Sequence, residues 1–212
     1  MEVNNKNNGF TLVEILVVIV IIMILTLVAL PYFLQAGKQF ALSRSAHKLA
    51  QDIRRAQEMS MSAKEFHGII SSGGYGVRIT DSYNKYILFA DCNNNGLYDG
   101  EIVNPSNPYD PENPDLSGTP CNGYSEKVEV LETEKGIQIG LGPAWGLFRG
   151  RVIFTPPDPV VAVNYGICDP NTGWCFIDNF AYPSLTAMVS LETDPSKTKT
   201  ISVNEAGLIE IK

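Results

Sequence analysis

Residues 10–30 read FTLVEILVVIVIIMILTLVAL, 21 positions that are all apolar except Thr11, Glu14 and Thr26. As a helix this run is about 31 Å long, the thickness of a bilayer's hydrocarbon core. One such span near one end, followed by about 180 residues of ordinary composition, describes a single-pass protein with its body on one side of a membrane. A secretory signal peptide has a shorter apolar region and a small-residue cleavage site behind it. Here the run ends in Leu30-Pro31-Tyr32 instead. A plain anchor accounts for the length but not for Glu14. A carboxylate costs about 2.5–3.5 kcal/mol at the centre of a membrane helix, and less near an end, so a retained one has a partner and a purpose.

The residues around Glu14 suggest that purpose. Gly9-Phe10-Thr11-Leu12-Val13-Glu14, behind a short polar leader containing Lys6, resembles the processing site of type IV prepilins and type II secretion pseudopilins. The resemblance implies that a prepilin peptidase cuts on the cytoplasmic side between Gly9 and Phe10, and that Phe10 is then N-methylated. It also implies an assembly role for Glu14, the fifth residue of the mature chain, which would pair with the terminal amine of a neighbouring subunit. An ammonium and a carboxylate that both sit in lipid relieve each other's desolvation. Pro31 falls where the family carries a helix-kinking proline, which removes one backbone hydrogen bond and bends the helix.

The body is acidic. Net charge is −7 over 212 residues. Phe10–Phe66 carries six basic and four acidic residues, whereas His67–Lys212 carries nine basic and eighteen acidic ones. An acidic body disfavours a phosphate backbone, so DNA is not an expected partner. From Tyr32 to about Ala63, Leu42, Ala46, Leu49, Ile53 and Ala56 recur at helical spacing as one apolar stripe, expected to lie on a sheet of the same chain. The helix is expected to end near 64–68, before Ser71-Ser72-Gly73-Gly74. Short β-rich runs follow at 75–79, 86–90, 128–131, 137–139, 151–154, 185–191, 200–203 and 208–211, the last two flanking an Asn204–Gly207 hairpin connection. Frequent turns favour antiparallel pairing.

This order is similar to that of GspH/FimT-type minor pseudopilins and minor pilins. It has a long N-terminal helix, a Tyr75-Gly76-Val77 strand, a Tyr86-Ile87-Leu88-Phe89 strand closing on Asp91, and a terminal hairpin with Gly207-Leu208-Ile209. The expected fold class is α+β and pilin-like. A helix with a transmembrane half and an amphipathic half packs on an antiparallel β-sheet domain. The expected divisions are a leader at 1–9, an assembly helix at 10–30, an amphipathic helix at 31–66 and an extracytoplasmic domain at 67–212.

Residues 91–121 form a long acidic loop with five prolines and no lysine or arginine. It opens as Asp91-Cys92-Asn93-Asn94-Asn95-Gly96-Leu97-Tyr98-Asp99-Gly100-Glu101. Oxygen side chains at the first, third, fifth and ninth positions, with glycine at the sixth, suit a calcium loop. The twelfth position is Ile102, with Glu101 one place early. Asp91, Asn93, Asn95, Asp99 and Glu101 are the candidate ligands; no cofactor is required. Cys92, Cys121, Cys168 and Cys175 form no C-x-x-C pair, which disfavours a zinc ribbon and leaves three disulfide connectivities. Cys168–Cys175 closing a turn-rich stretch, with Cys92–Cys121 remaining, is one of them.

The sequence has no H-E-x-x-H, no G-x-S-x-G and no phosphate-loop signature, and no catalysis is expected. The two histidines, His47 and His67, are expected at the surface. The resemblance implies a structural subunit of a type II secretion-like pseudopilus, anchored in the inner (cytoplasmic) membrane with its body outside. Its implied partners are other pilins, the peptidase/methylase and the assembly machinery. The alternatives are a type IV pilus minor pilin in DNA uptake, or an adhesion module using the acidic loop.

Overall fold

One helix, α1 (Leu12–Met61), carries both of the segments that composition separates. The computed structural model describes residues 10–80, 83–99, 121–141, 148–156, 160–168, 175–177 and 184–212. The chain divides into two compact units, Met1–Phe40 and Ala41–Lys212. In the first, the large apolar side chains from Leu12 to Leu30 are exposed, and the helix is long and apolar enough to cross a membrane. Within it the Thr26 hydroxyl donates to the Ile22 carbonyl (2.7 Å), so that polar side chain is satisfied inside the helix. The helix continues through Pro31, whose side chain lies outside the description.

In the second unit Leu42, Ala46, Leu49, Ala50, Ile53, Ala56 and Met59 are buried. The apolar stripe therefore faces the core, where each large side chain is worth about 1.5–3 kcal/mol in burial. The helix stops at Met61, short of the expected 64–68. The Lys64 N–H reaches the Met59 carbonyl and the Ala63 N–H reaches the Ser60 carbonyl, both at 3.1 Å, with Ala63 at φ +46°. That is a Schellman termination with alanine in the left-handed position that usually holds glycine.

After the helix come β1 (Glu65–Phe66), β2 (Ile69–Ile70), β3 (Gly74–Ile79), β4 (Lys85–Asp91), β5 (Lys127–Glu132), β6 (Ile137–Leu141), β7 (Phe148–Thr155), β8 (Val160–Cys168), β9 (Cys175–Ile177), β10 (Ser184–Leu191), β11 (Asp194–Asn204) and β12 (Ile209–Ile211). They form a β1-β2 hairpin, a six-stranded sheet in the order β5-β4-β3-β7-β8-β9 and a four-stranded sheet in the order β12-β11-β10-β6. Every pairing in these sheets is antiparallel. One core takes side chains from α1 and both larger sheets, including Tyr75, Val77, Leu88, Val152, Ile139, Leu185 and Ile201.

The alternation along β4 is informative. Tyr86, Leu88 and Ala90 enter the core beneath the helix, while Ile87 and Phe89 turn to the other face and meet Ile153 and Tyr98. Both faces of the central strands are therefore covered, which explains a nearly continuous apolar run in an antiparallel sheet. Gly76 permits this cover: a Cβ there would stand 2.9 Å from the Phe89 ring. Polar contacts tie the helix to the strand region beside it. Arg44 forks onto Glu134 with two 2.8 Å bonds, Arg55 meets Glu129 at 2.7 Å, and the Tyr86 hydroxyl donates to Asp52 (2.6 Å).

The α+β class with antiparallel sheets agrees with expectation. The hairpin β1-β2 and the strands β8 and β9 were not anticipated. Proline-rich punctuation at 156–159 and Asp169-Pro170 frames β8 and reads as loop. β11 starts at Asp194 rather than Thr200 and runs through Pro195. Its outer neighbour β12 pairs only with residues 201–203, so a proline there removes no ladder bond on that side.

Candidate functional site

Two regions carry the candidate residues. At the N-terminal end, Phe10 and Thr11 precede the first helical residue, Leu12. Thr11 is the N-cap: the Glu14 N–H donates to the Thr11 hydroxyl (3.3 Å) and to its carbonyl (3.1 Å), and the Ile15 N–H donates to the same carbonyl (3.3 Å). Thr-Leu-Val-Glu has the spacing of a capping box, with the acid in the first turn, where the helix dipole favours negative charge. Phe10 is 80% exposed and lies outside the helix. Gly9 lies outside the described residues.

The second region is the turn after β4. Asp91 begins it, its two carboxylate oxygens accepting the Asn95 N–H (3.1 Å) and the Gly96 N–H (2.9 Å). The Asn93 side-chain oxygen accepts the Asn95 N–H (3.1 Å), and the Asn95 oxygen accepts the Leu97 N–H (2.7 Å). Both Asn side-chain amides then donate to one oxygen of Asp99, at 2.6 and 3.1 Å. The structure thus brings Asp91, Asn93, Asn95 and Asp99 together in one turn. Glu101 lies outside the described residues.

Sequence reading missed Glu126. It stands just before β5 and is fully buried. One carboxylate oxygen accepts the Cys92 N–H and the other the Asp99 N–H, both at 2.8 Å. No local spacing could have revealed it, because 27 residues separate it from Asp99. Burial, reinforced by the neighbouring Asp99 and Asp91 and only partly offset by those two N–H groups, pushes the Glu126 carboxyl up to about 8. Burial likewise raises Asp91 above its ordinary range. The same region holds two arginines in opposite register, Arg78 on β3 and Arg151 on β7. Arg78 lies over the Tyr98 ring, 5.3 Å from its centroid. Burial lowers Arg151 to about 10, against the opposing pull of Asp91.

A disulfide joins Cys92 to Cys121. Their sulfurs lie within 4.8 Å of a Glu126 oxygen, but the bond between them removes both from thiolate ligation. Cys168 and Cys175 are register partners across β8 and β9; their side chains lie outside the description. His47 and His67 are exposed, and His67 stacks on Tyr124 with ring centroids 3.9 Å apart.

Residues 4–30 match the prokaryotic N-terminal methylation motif. Neither a curated protein nor a solved structure matches the chain. The motif implies processing by prepilin peptidase and assembly with other pilins, and the apolar helix beneath it fits membrane anchoring. A chain with this motif over an exposed membrane-length helix, followed by an antiparallel β-domain, is supported as a precursor of the type IV pilin or pseudopilin class.

Proposed function

We propose that the chain is a minor pseudopilin of the GspH/FimT type, a structural subunit of a type II secretion-like pseudopilus. In this reading the peptidase cuts after Gly9, Phe10 is methylated, and Glu14 pairs with the terminal amine of a neighbouring subunit while the β-domain faces outward. The observation that carries it is the coincidence of the methylation motif with an unburied apolar helix. A continuous apolar surface of that size requires lipid or neighbouring helices as its cover. N-terminal peptide mass spectrometry on protein from native membranes tests it. A terminus at methylated Phe10 is expected. Retention of Met1 in cells with active peptidase leaves only a single-pass anchor.

Calcium in the 91–99 turn belongs to the same proposal. Its support is the hydrogen bonding of that turn, which sets the Asn93 and Asn95 side chains on Asp99 and holds the Asp91 carboxylate in the same turn. An ion held among these side chains would offset the charge of the buried acids. DNA uptake gains no support from the C-terminal hairpin, where Glu205 and Glu210 outnumber Lys212 and Lys212 is paired with Glu210 at 3.2 Å.

A further inference from the structure

We propose that Cys92, Cys121 and Glu126 form a zinc site in the dithiol form of the chain, a site that the Cys92–Cys121 bond closes. The dithiol is the form in which a chain is made, before any oxidant reaches it. The three donors, two sulfurs and one carboxylate oxygen, all lie within 4.8 Å of one another. Tetrahedral zinc takes thiolates at about 2.3 Å and carboxylate oxygens at about 2.0–2.2 Å, which sets ligand atoms roughly 3.6–3.8 Å apart. With the cysteine Cα atoms 5.4 Å apart, side-chain rotation brings the two parted sulfurs to that spacing.

The backbone, and not the bond alone, converges these donors. Glu126 is held beside the end of β4 by the Ala90 N–H on its carbonyl (2.9 Å) and by its own N–H on the Asp99 carbonyl (3.0 Å). Cys92 directly follows β4, and the Ser72 hydroxyl donates to its carbonyl (3.1 Å). Cys121 opens a tight turn in which its N–H and its carbonyl both pair with Tyr124, at 3.1 Å each. Opening the disulfide therefore leaves all three donors in place. Cys121 and Glu126 are fully buried while Cys92 is half-buried, which gives an ion one open flank. Asp91 and Asp99, also buried, add negative charge beside Glu126, and buried charge without compensation is costly. A divalent cation offsets it, and two thiolates make that cation zinc instead of calcium. The ligands differ from the oxygen set of the 91–99 turn, so the site stands whether or not that turn takes calcium. Zinc entry releases the two thiol protons to solvent and moves no electron. A disulfide oxidant reverses it. The two thiolates give up two electrons, the Cys92–Cys121 bond forms, the oxidant leaves as two thiolates and the ion departs.

The test is zinc titration of the full-length chain in detergent, after reduction by a phosphine and removal of that reductant, in competition with a chromophoric chelator. Reduced wild type is expected to bind one equivalent more than reduced Cys92→Ser. A Cys168→Ser, Cys175→Ser double variant is expected to keep that equivalent, and so is Asp91→Asn. Glu126→Gln is expected to weaken binding at least about tenfold, the loss that removal of even an outer partner brings. Should circular dichroism show that Glu126→Gln does not fold, Glu126→Asp, one methylene short, is expected to weaken binding likewise. Added glutathione disulfide is expected to release zinc in step with disulfide formation. Equal zinc in wild type and Cys92→Ser overturns the proposal. So does wild-type affinity in the Glu126 variants, or loss of the ion in Asp91→Asn, which would place it in the acidic turn. Zinc that stays bound while the Cys92–Cys121 bond forms overturns it as well.

Discussion

Removing the Cys92–Cys121 disulfide tests how the acidic loop is held. The bond spans a sequence separation of 29 residues. Loop-closure entropy for a ring of that size is worth about 3.6 kcal/mol at 25 °C through its effect on the unfolded chain. The segment Ala41–Lys212 contains every residue of the main core and is the natural material for the measurement. For a unit of that size 3.6 kcal/mol lowers Tm by about 10 °C. The variant is Cys92→Ala with Cys121→Ala, because Cys121 is fully buried and a hydroxyl there would need a new partner. Reduction of the wild-type bond serves as a control that leaves the core side chains in place.

Urea unfolding separates the two origins of the effect. If the cross-link acts on the unfolded chain, its loss lets that chain expand, and the denaturant slope m rises along with the fall in midpoint. A fall in midpoint at unchanged m would mean that native contacts were lost instead. A Tm shift below about 3 °C would refute the entropic reasoning altogether. The two N–H bonds to Glu126 and the burial of Tyr98 would then be sufficient to close the loop.

Three other outcomes follow from the same geometry. Ala63→Gly relieves a left-handed alanine at the helix terminus and should stabilise the domain by about 0.5–1 kcal/mol, read as a rise in Tm; a loss would show that the Schellman turn is not strained. Because Glu126 holds its proton up to about 8 against an ordinary value of 4.5, the folded state binds a proton that the unfolded chain has released. Stability should therefore fall as pH rises from about 4.5 to about 8 and level off above, and Glu126→Gln should flatten the fall; unfolding free energies that increase across this window would contradict the assignment. Calcium at ten times its Kd should raise stability by about 1.4 kcal/mol, a Tm gain of about 4 °C that Asp91→Asn abolishes, and no gain at millimolar calcium would remove the ion from the proposal.

Much of the fold was legible because its signals are local. The 21-residue apolar run and the 3.6-residue stripe from Leu42 to Ala56 depend only on neighbouring residues; α1 takes in the run from Leu12 onward and all of the stripe. The terminal hairpin was readable from Asn204-Glu205-Ala206-Gly207, where the Asn204 side chain caps the turn by accepting the Ala206 and Leu208 N–H groups and Gly207 takes φ +74°. What failed was punctuation. Ala63 ends the helix in a conformation that alanine does not advertise, and the prolines around β8 hid a nine-residue strand that lies one place from the sheet edge. Pairing with β7 and β9 decides that segment, and no local rule sees those partners.

The acidic turn divides in the same way. Asp91, Asn93, Asn95 and Asp99 were readable as a unit around Gly96 because each of these side chains bonds to backbone two to five residues on, or to another member of the set. Glu126 was not, because its role is to accept two N–H groups from a segment about thirty residues earlier. That bond pair also explains why the turn lies against the sheet. With Glu126 fixing Cys92 and Asp99 from one side, Tyr98 is held against Phe89 at 5.6 Å between ring centroids. The second face of β4 is thereby closed. The turn's first task is thus to cover the sheet, and any ion it takes would bind to a frame that Glu126 and the Cys92–Cys121 bond have already set.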